Sequence, residues 1–227
     1  MNIENNFSTI KDENGIEWEV CNDEIEDKEN YEYEELEIFK LKTNQFTFEA
    51  LNKLMDNNIK TNIHFIYSKL THNLAMDILS GMDIWNGKVN IEKLNAVIFL
   101  LFKPHGAGKK LNWKPTKFQL KEFSKLVFAP KSKFKIGMDS CLINHILQYS
   151  QPNELQRMSI DSCEGGRMSA YITPDMRMMP CSFSDKDKWA VPINNALDIK
   201  WAWDNSKPFT TFRNILTKNQ CSCPLTL

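Results

Sequence analysis

Two cysteines, Cys163 and Cys181, bracket a stretch that reads CEGGRMSAYITPDMRMMPC and runs on into Ser182-Phe183. Met168, Ala170 and Ile172 alternate with Ser169, Tyr171 and Thr173, the period of two that marks a strand. Pro174-Asp175 supplies a turn, because proline fixes φ and aspartate hydrogen-bonds the backbone ahead of it. A second short strand then delivers Cys181 behind Pro180. A hairpin folds its two ends together, so the stretch predicts that Cys163 and Cys181 face each other. Such a pair supplies half of a four-thiolate metal site. It serves equally as two buried free thiols, since cysteine packs well as a small hydrophobe.

Upstream, the apolar pattern predicts helices alternating with strands. Thr47 is placed to cap a helix with Phe48, Leu51, Leu54 and Met55 at helical spacing, ended by Asn57-Asn58. Asn62 to Tyr67 reads as a strand, with Ile63, Phe65 and Tyr67 on one face and Asn62, His64 and Ile66 on the other. Thr71 is expected to cap a second helix with a buried stripe of Leu74, Ala75, Ile78 and Leu79, stopped by Gly81. Leu94 to Phe102 is an unbroken apolar run, as a strand buried on both faces requires. Thr116 and Gln119 form a T-x-x-Q capping box for a helix lined by Phe118, Phe123, Leu126 and Val127. Phe134 to Met138 is a third strand. Helices between such strands are the signature of a parallel α/β sheet.

Two loops at the strand ends carry chemistry. Lys103-Pro-His-Gly-Ala-Gly-Lys-Lys110 is not a phosphate loop, because the G-x-x-x-x-G-K-[ST] spacing is absent. It reads as a flexible loop leaving the second strand. Asp139-Ser140-Cys141 leaves the third, ahead of a short helix over 142–149, and places Cys141 to add a third thiol to the hairpin's pair. Further on, Trp189, Trp201 and Trp203 are expected to form a small core, and a helix spans 207–217. Cys221-Ser-Cys223-Pro224 then brings two more thiols, either of which can close a tetrahedral set. Thiolates from Cys141, Cys163, Cys181 and Cys221 or Cys223 suit zinc or an iron–sulfur cluster alike.

The net charge of −1 hides an asymmetry. Residues 1–40 hold 14 acids and 3 bases, a net of −11, which leaves about +10 on the remainder. The acidic arm reads as a solvated tail, with a possible hairpin at Asn14-Gly15 and Ile16 to Val20, and a helix or strand over Glu32 to Leu41. The overall balance argues against an electrostatic nucleic-acid binder. The first residues show no signal-peptide pattern, and Val97 to Phe102 is too short to span a bilayer. Six cysteines in that setting read as thiols or metal ligands, so the expectation is a cytoplasmic protein. No Ser–His–Asp or paired-carboxylate spacing points to a hydrolase.

The hairpin stretch resembles the SPASM region of radical SAM (S-adenosylmethionine) proteins, through Cys163, Gly165, Gly166, Ile172, Pro174, Asp175, Pro180 and Cys181. Met176 stands where that family usually has glycine. Trp203-Asp-Asn-Ser206 with Phe209, Phe212 and Arg213 is similar to the helical segment that follows such a hairpin. Thr61 to Tyr67, Leu94 to Leu101 and Lys135 to Cys141 look like successive late strands of a radical SAM barrel. The resemblance covers roughly residues 44 to 223. Beyond the acidic N-terminal arm over 1–43, which composition alone marks, it implies a partial (β/α) radical-SAM-type barrel over 44–150 and a SPASM-like β-hairpin plus helices over 151–227. It implies that His64 points into the barrel cavity and that Lys103 and His105 lie near SAM or substrate. A histidine hydrogen-bonded in the barrel wall, and a plain surface loop, fit those residues too.

The resemblance further implies that the cysteines hold one auxiliary [4Fe–4S] cluster. The Cys-x3-Cys-x2-Cys run that holds the SAM-cleaving cluster is absent, and Cys21 stands alone in the N-terminal half. The implied function is that of the C-terminal part of a split or truncated radical SAM protein, supporting radical modification of a peptide or protein. SAM enters only where a partner chain supplies the missing cluster. A second polypeptide or another copy is expected to cover the open sheet edges. The competing reading is a non-catalytic, metal-stabilised module that binds a peptide or partner. Neither a nucleic acid nor a membrane is an expected partner.

Overall fold

The computed structural model describes residues 7–11, 17–21, 45–161, 163–218 and 223–225. The chain divides into two units, Met1–Thr47 and Phe48–Leu227. The first holds an antiparallel hairpin of β1 (Phe7–Lys11) and β2 (Glu17–Cys21), with Phe7 opposite Cys21. The expected turn at Asn14-Gly15 and the segment Glu32 to Leu41 lie outside the described residues.

The next helix, α1 (Gln45–Asp56), begins before Thr47, so Thr47 sits inside the first turn and does not cap it. Leu51 and Met55 are buried, while Leu54 faces outward at 42 % exposure. Asn58 ends the helix with φ +60, and Ile59 N–H reaches back to the Leu54 carbonyl. Asparagine tolerates that left-handed position better than most residues.

Three parallel strands form the centre of the second unit: β3 (Asn62–Tyr67), β4 (Ala96–Leu101) and β5 (Lys135–Met138). They pair in chain order, with Asn62 opposite Ala96 and Ala96 opposite Lys135. Helix α2 (His72–Leu79) crosses between the first two and α3 (Lys117–Val127) between the last two. Alternation along the strands sends Tyr67, Val97, Phe99 and Leu101 into one core with Ala75 and Ile78 of α2 and Leu120 and Phe123 of α3. Phe99 meets Phe123 edge-on, with ring centroids 5.1 Å apart, and Tyr67 lies 4.4 Å from the same ring. Each such buried side chain contributes roughly 1.5–3 kcal/mol over its exposed state. The opposite face carries Asn62, His64 and Ile66, all exposed, with Ile66 at 56 %.

Several local expectations need correcting. Thr71 occupies the N-cap position of α2 but makes no capping hydrogen bond. Its hydroxyl instead donates to the Ile66 carbonyl at 2.7 Å and accepts from Ser68 N–H, closing the strand-to-helix turn. Phe118 is 68 % exposed and Leu120 takes the buried place, because Leu120, Phe123 and Val127 share the stripe that faces the sheet. The capping box itself is present, with Thr116 and Gln119 exchanging bonds at 3.1 and 3.0 Å. Gly81, at φ +84, closes α2 with the paired bonds Gly81 N–H to Ile78 O and Met82 N–H to Asp77 O.

After β5 come α4 (Ser140–Ile146) and α5 (Glu154–Met158). The expected hairpin then forms, from β6 (Tyr171–Ile172) and β7 (Arg177–Met179). Its first strand is shorter than the alternation suggested. Gly165 to Ser169 is a turn, with the N–H groups of Arg167, Met168 and Ser169 all directed at the Glu164 carbonyl. After the short helix α6 (Lys186–Trp189), a third strand, β8 (Val191–Pro192), pairs with β7. Helices α7 (Ala196–Asn205) and α8 (Lys207–Lys218) complete the fold. Phe209 packs with Met178, Val191, Ile193 and Ala202, and Phe212 packs with Trp189, Cys163 and Leu216. Trp201 stays out of these cores, 56 % exposed. Arg213 ties the module together, donating to the carbonyls of Gly166 at 2.9 Å and Trp203 at 2.6 Å. Among the described residues no helix is long and apolar enough to cross a membrane.

Candidate functional site

Four cysteines far apart in the chain line one pocket. Cys141, Cys163, Cys181 and Cys223 share a cavity of about 260 Å³ with Leu101, Lys103, His105, Lys114, His145 and Phe183. Its lining comes from the C-terminal end of β4 and the loop after it, from α4, and from the hairpin module and the residues that follow it. Cys221 lies outside the described residues.

Each thiol is delivered by a local structure with a clear cause. Cys141 sits in the first turn of α4, one residue beyond Ser140, so it begins the helix and does not precede it. The Asp139 side chain caps that helix, accepting from Leu142 N–H at 2.7 Å. Cys163 is buried beside Phe212, where two glycines allow close approach. A Cβ on Gly165 would lie 3.1 Å from the Pro180 carbonyl oxygen and 3.2 Å from the Phe212 ring. Gly166 holds φ +66 and would meet Pro180 at 3.2 Å. This turn therefore lies flat on the residue that precedes Cys181. The Gly165 N–H bonds the Cys163 sulfur, and the Phe183 N–H bonds the Cys181 sulfur at 3.4 Å. The Gly165 donor favours the Cys163 thiolate over the thiol.

Lys103 and His105 join the sheet side of the pocket to the module side. The Lys103 ammonium bonds Asp139 Oδ2 at 2.7 Å and lies 4.4 Å from the centroid of the Phe183 ring. His105 Nε2 meets the Phe183 carbonyl oxygen at 2.6 Å. Asp139 Oδ1 also accepts from Leu101 N–H at 3.3 Å, so one carboxylate ties together the end of β4, the start of α4 and Lys103. His64, on the exposed face of β3, does not line this pocket.

Burial opposes ionisation of two of the pocket thiols. Burial pushes the Cys141 thiol up to about 12. Lys103 pulls it back down, while Asp139, Cys223 and Cys181 push it further up. Burial also raises Cys163, against its Gly165 bond and with Cys223 and Cys181 adding to the rise. Ionising one thiol thus hinders its neighbours, and a bound cationic centre is what makes several thiolates compatible. Burial penalises the Lys103 ammonium, but its hydrogen bonds to Asp139 and Cys141 and the Asp139 charge outweigh it and raise its pKa. Burial, then Lys114, lowers the His145 pKa. Among the described residues no three His, Cys, Asp or Glu side chains stand at the spacing of a single metal ion.

Sequence reasoning missed several residues in and beside the pocket. His145 was legible, four places after Cys141 on a helix and so on the same face. Asp139 carried the signal of an N-cap residue before an apolar run. Phe183 and Lys114 carry no signal, because only tertiary packing brings them in.

A second cleft lies at the other end of the same strands. Met55, Ile59, Leu94 and Phe134 floor it, and Lys60, Lys93, Lys133 and Lys135 surround it. Lys93 pairs with Asp56 at 2.7 Å, and Lys133 pairs with Glu92. It contains no thiol, so the soft-donor chemistry of the described residues gathers at the cysteine pocket. No family model, no curated protein and no solved structure matches this chain.

Proposed function

We propose that the cysteine pocket holds one auxiliary [4Fe–4S] cluster, and that the chain is the C-terminal part of a radical SAM/SPASM-type system acting on a peptide or protein. The observation that carries this reading is the meeting of Cys141, Cys163, Cys181 and Cys223 in one pocket beside a SPASM-like hairpin. An all-thiolate donor set suits an iron–sulfur group. The strands support the barrel part of the reading, since they pair in chain order with the helices packed on one face, as in a (β/α) barrel.

In this reading Cys141, Cys163, Cys181 and Cys223 are the ligands, and Gly165 N–H and Phe183 N–H orient two of the sulfurs. Bound there, an auxiliary cluster supplies substrate coordination or an electron relay. Phe212, Leu101 and Leu225 exclude water from one side of the pocket, and Lys103 and His105 hold the Phe183 segment in place. SAM cleavage belongs to a second polypeptide carrying the Cys-x3-Cys-x2-Cys run, seated on the edge of β3 that no strand pairs with among the described residues.

Anaerobic reconstitution with iron and sulfide tests this. One cubane per chain is expected in the wild type and none in Cys163→Ala/Cys181→Ala. Stoichiometric zinc, or no cluster in the wild type, sinks the reading and leaves a metal-stabilised or purely structural binding module.

A further inference from the structure

Lys103 and Asp139 are a half-buried ion pair placed at the sheet side of the thiol pocket. Their side chains are 21 % and 16 % exposed, and their contact is 2.7 Å. Both are held by more than each other. Asp139 Oδ1 accepts two backbone N–H groups, from Leu101 and Leu142, which leaves Oδ2 for the lysine. The Lys103 stem runs from the end of β4, and its ammonium rests on the Phe183 ring. Neither charge can swing away into solvent without breaking those contacts.

Cys141 is the thiol nearest this pair in the chain, two residues after Asp139 and in the helix turn that Asp139 caps. We propose that Lys103 and Asp139 are opposing electrostatic positioning residues for the Cys141 ligand, Lys103 stabilising added negative charge in the pocket and Asp139 opposing it. This rests on the cluster reading above. Lys103 hydrogen-bonds the Cys141 side chain and lines the same pocket, and Asp139 caps the helix turn that carries Cys141. Hydrogen bonds and local charge at the sulfurs are among the levers that set cluster potentials. A fixed cation favours the reduced, more negative state, and a fixed anion disfavours it. The pair is therefore a pre-set balance, in which removing either member shifts the potential in its own direction.

The test uses the full chain, reconstituted anaerobically as wild type, Lys103→Met, Lys103→Arg and Asp139→Asn. Asparagine keeps an oxygen for the two backbone donors and is itself a good N-cap, so α4 stays capped. Iron and sulfide are counted first. Redox titration followed by electron paramagnetic resonance of the reduced cluster then gives the midpoint potential. All four proteins are expected to carry the same cluster content. Lys103→Met should shift the one-electron reduction equilibrium about tenfold toward the oxidised state, about 59 mV more negative. Lys103→Arg should titrate with the wild type, and Asp139→Asn should shift in the opposite direction. Loss of the cluster in Lys103→Met with full rescue in Lys103→Arg also supports a need for the charge. Wild-type potentials in both Lys103→Met and Asp139→Asn, shifts of the same sign, or cluster loss that arginine does not rescue overturns the proposal. A wild type that takes up no cluster fails earlier, and shows that the reading beneath it was wrong.

Discussion

Gly165 and Pro180 are packed so closely that a Cβ added to the glycine would stand 3.1 Å from the proline carbonyl oxygen. Neither partner can yield easily, because the oxygen is backbone and the Phe212 ring closes the other side at 3.2 Å. Gly165→Ala should therefore cost about 1–3 kcal/mol, as overpacking does in a filled site. A urea denaturation midpoint measures it, and on the cluster reading proposed above iron uptake by the same protein should also fall. An unchanged midpoint would mean that the turn is free to move away from the hairpin.

Met176 carries the opposite prediction. It closes the β6–β7 turn at φ +57, a left-handed position that costs a non-glycine residue about 1–2 kcal/mol. The side chain is 51 % exposed, so little packing is lost by removing it. The Met176 N–H bond to Thr173 O and the Ile193 N–H bond to Met176 O use only backbone and survive substitution. Met176→Gly should stabilise the protein by about 0.5–1 kcal/mol, once the greater unfolded freedom of glycine is set against the relieved strain. Thermal or urea unfolding reads the gain, and a loss of stability would show that the methionine side chain makes a contact that outweighs its backbone.

Thiol titration gives a pH prediction for the metal-free protein. The Cys141 thiol rises from its ordinary 9.0 to about 12, chiefly through burial. A group whose folded pKa is raised contributes stability that is fully present below its unfolded value and is lost as pH climbs toward the folded one. The Cys141 contribution to stability should thus be constant below pH 9.0 and be lost between pH 9.0 and about 12. Iodoacetamide at pH 8 should label Cys141 far more slowly in the folded protein than in urea, with mass spectrometry of the digested chain as the readout. Equal rates would mean that Cys141 is open to water.

Much of this arrangement could be seen in the residues. The faces of β3, the buried stripe of α2 and the T-x-x-Q box of α3 follow from periodicity and capping, and all three survive in the fold. The hairpin and the meeting of Cys163 with Cys181 in one pocket follow from its turn residues. Cys141 and Cys223 were legible only as cysteines at plausible places, since no local pattern says that they reach the same cavity. The misses were local competitions. Thr71 spent its hydroxyl on the preceding strand, and Phe118 lost the buried face to Leu120 because one helix stripe cannot hold both. Lys103 looked like part of a mobile loop, and only tertiary contacts with Asp139 and Phe183 fix it.

The four pocket thiols are carried by four separate segments, and Cys223 follows Cys141 by 82 positions. Anything that grips all four turns the last third of the chain into closed rings. Under a pulling force applied at the two termini, those rings would transmit load through the site and leave their backbone slack. The fully stretched chain would then be shorter by up to about 280 Å, taking ~3.3–3.6 Å per extended residue. Mechanical extension thus turns the occupancy of this pocket into a length.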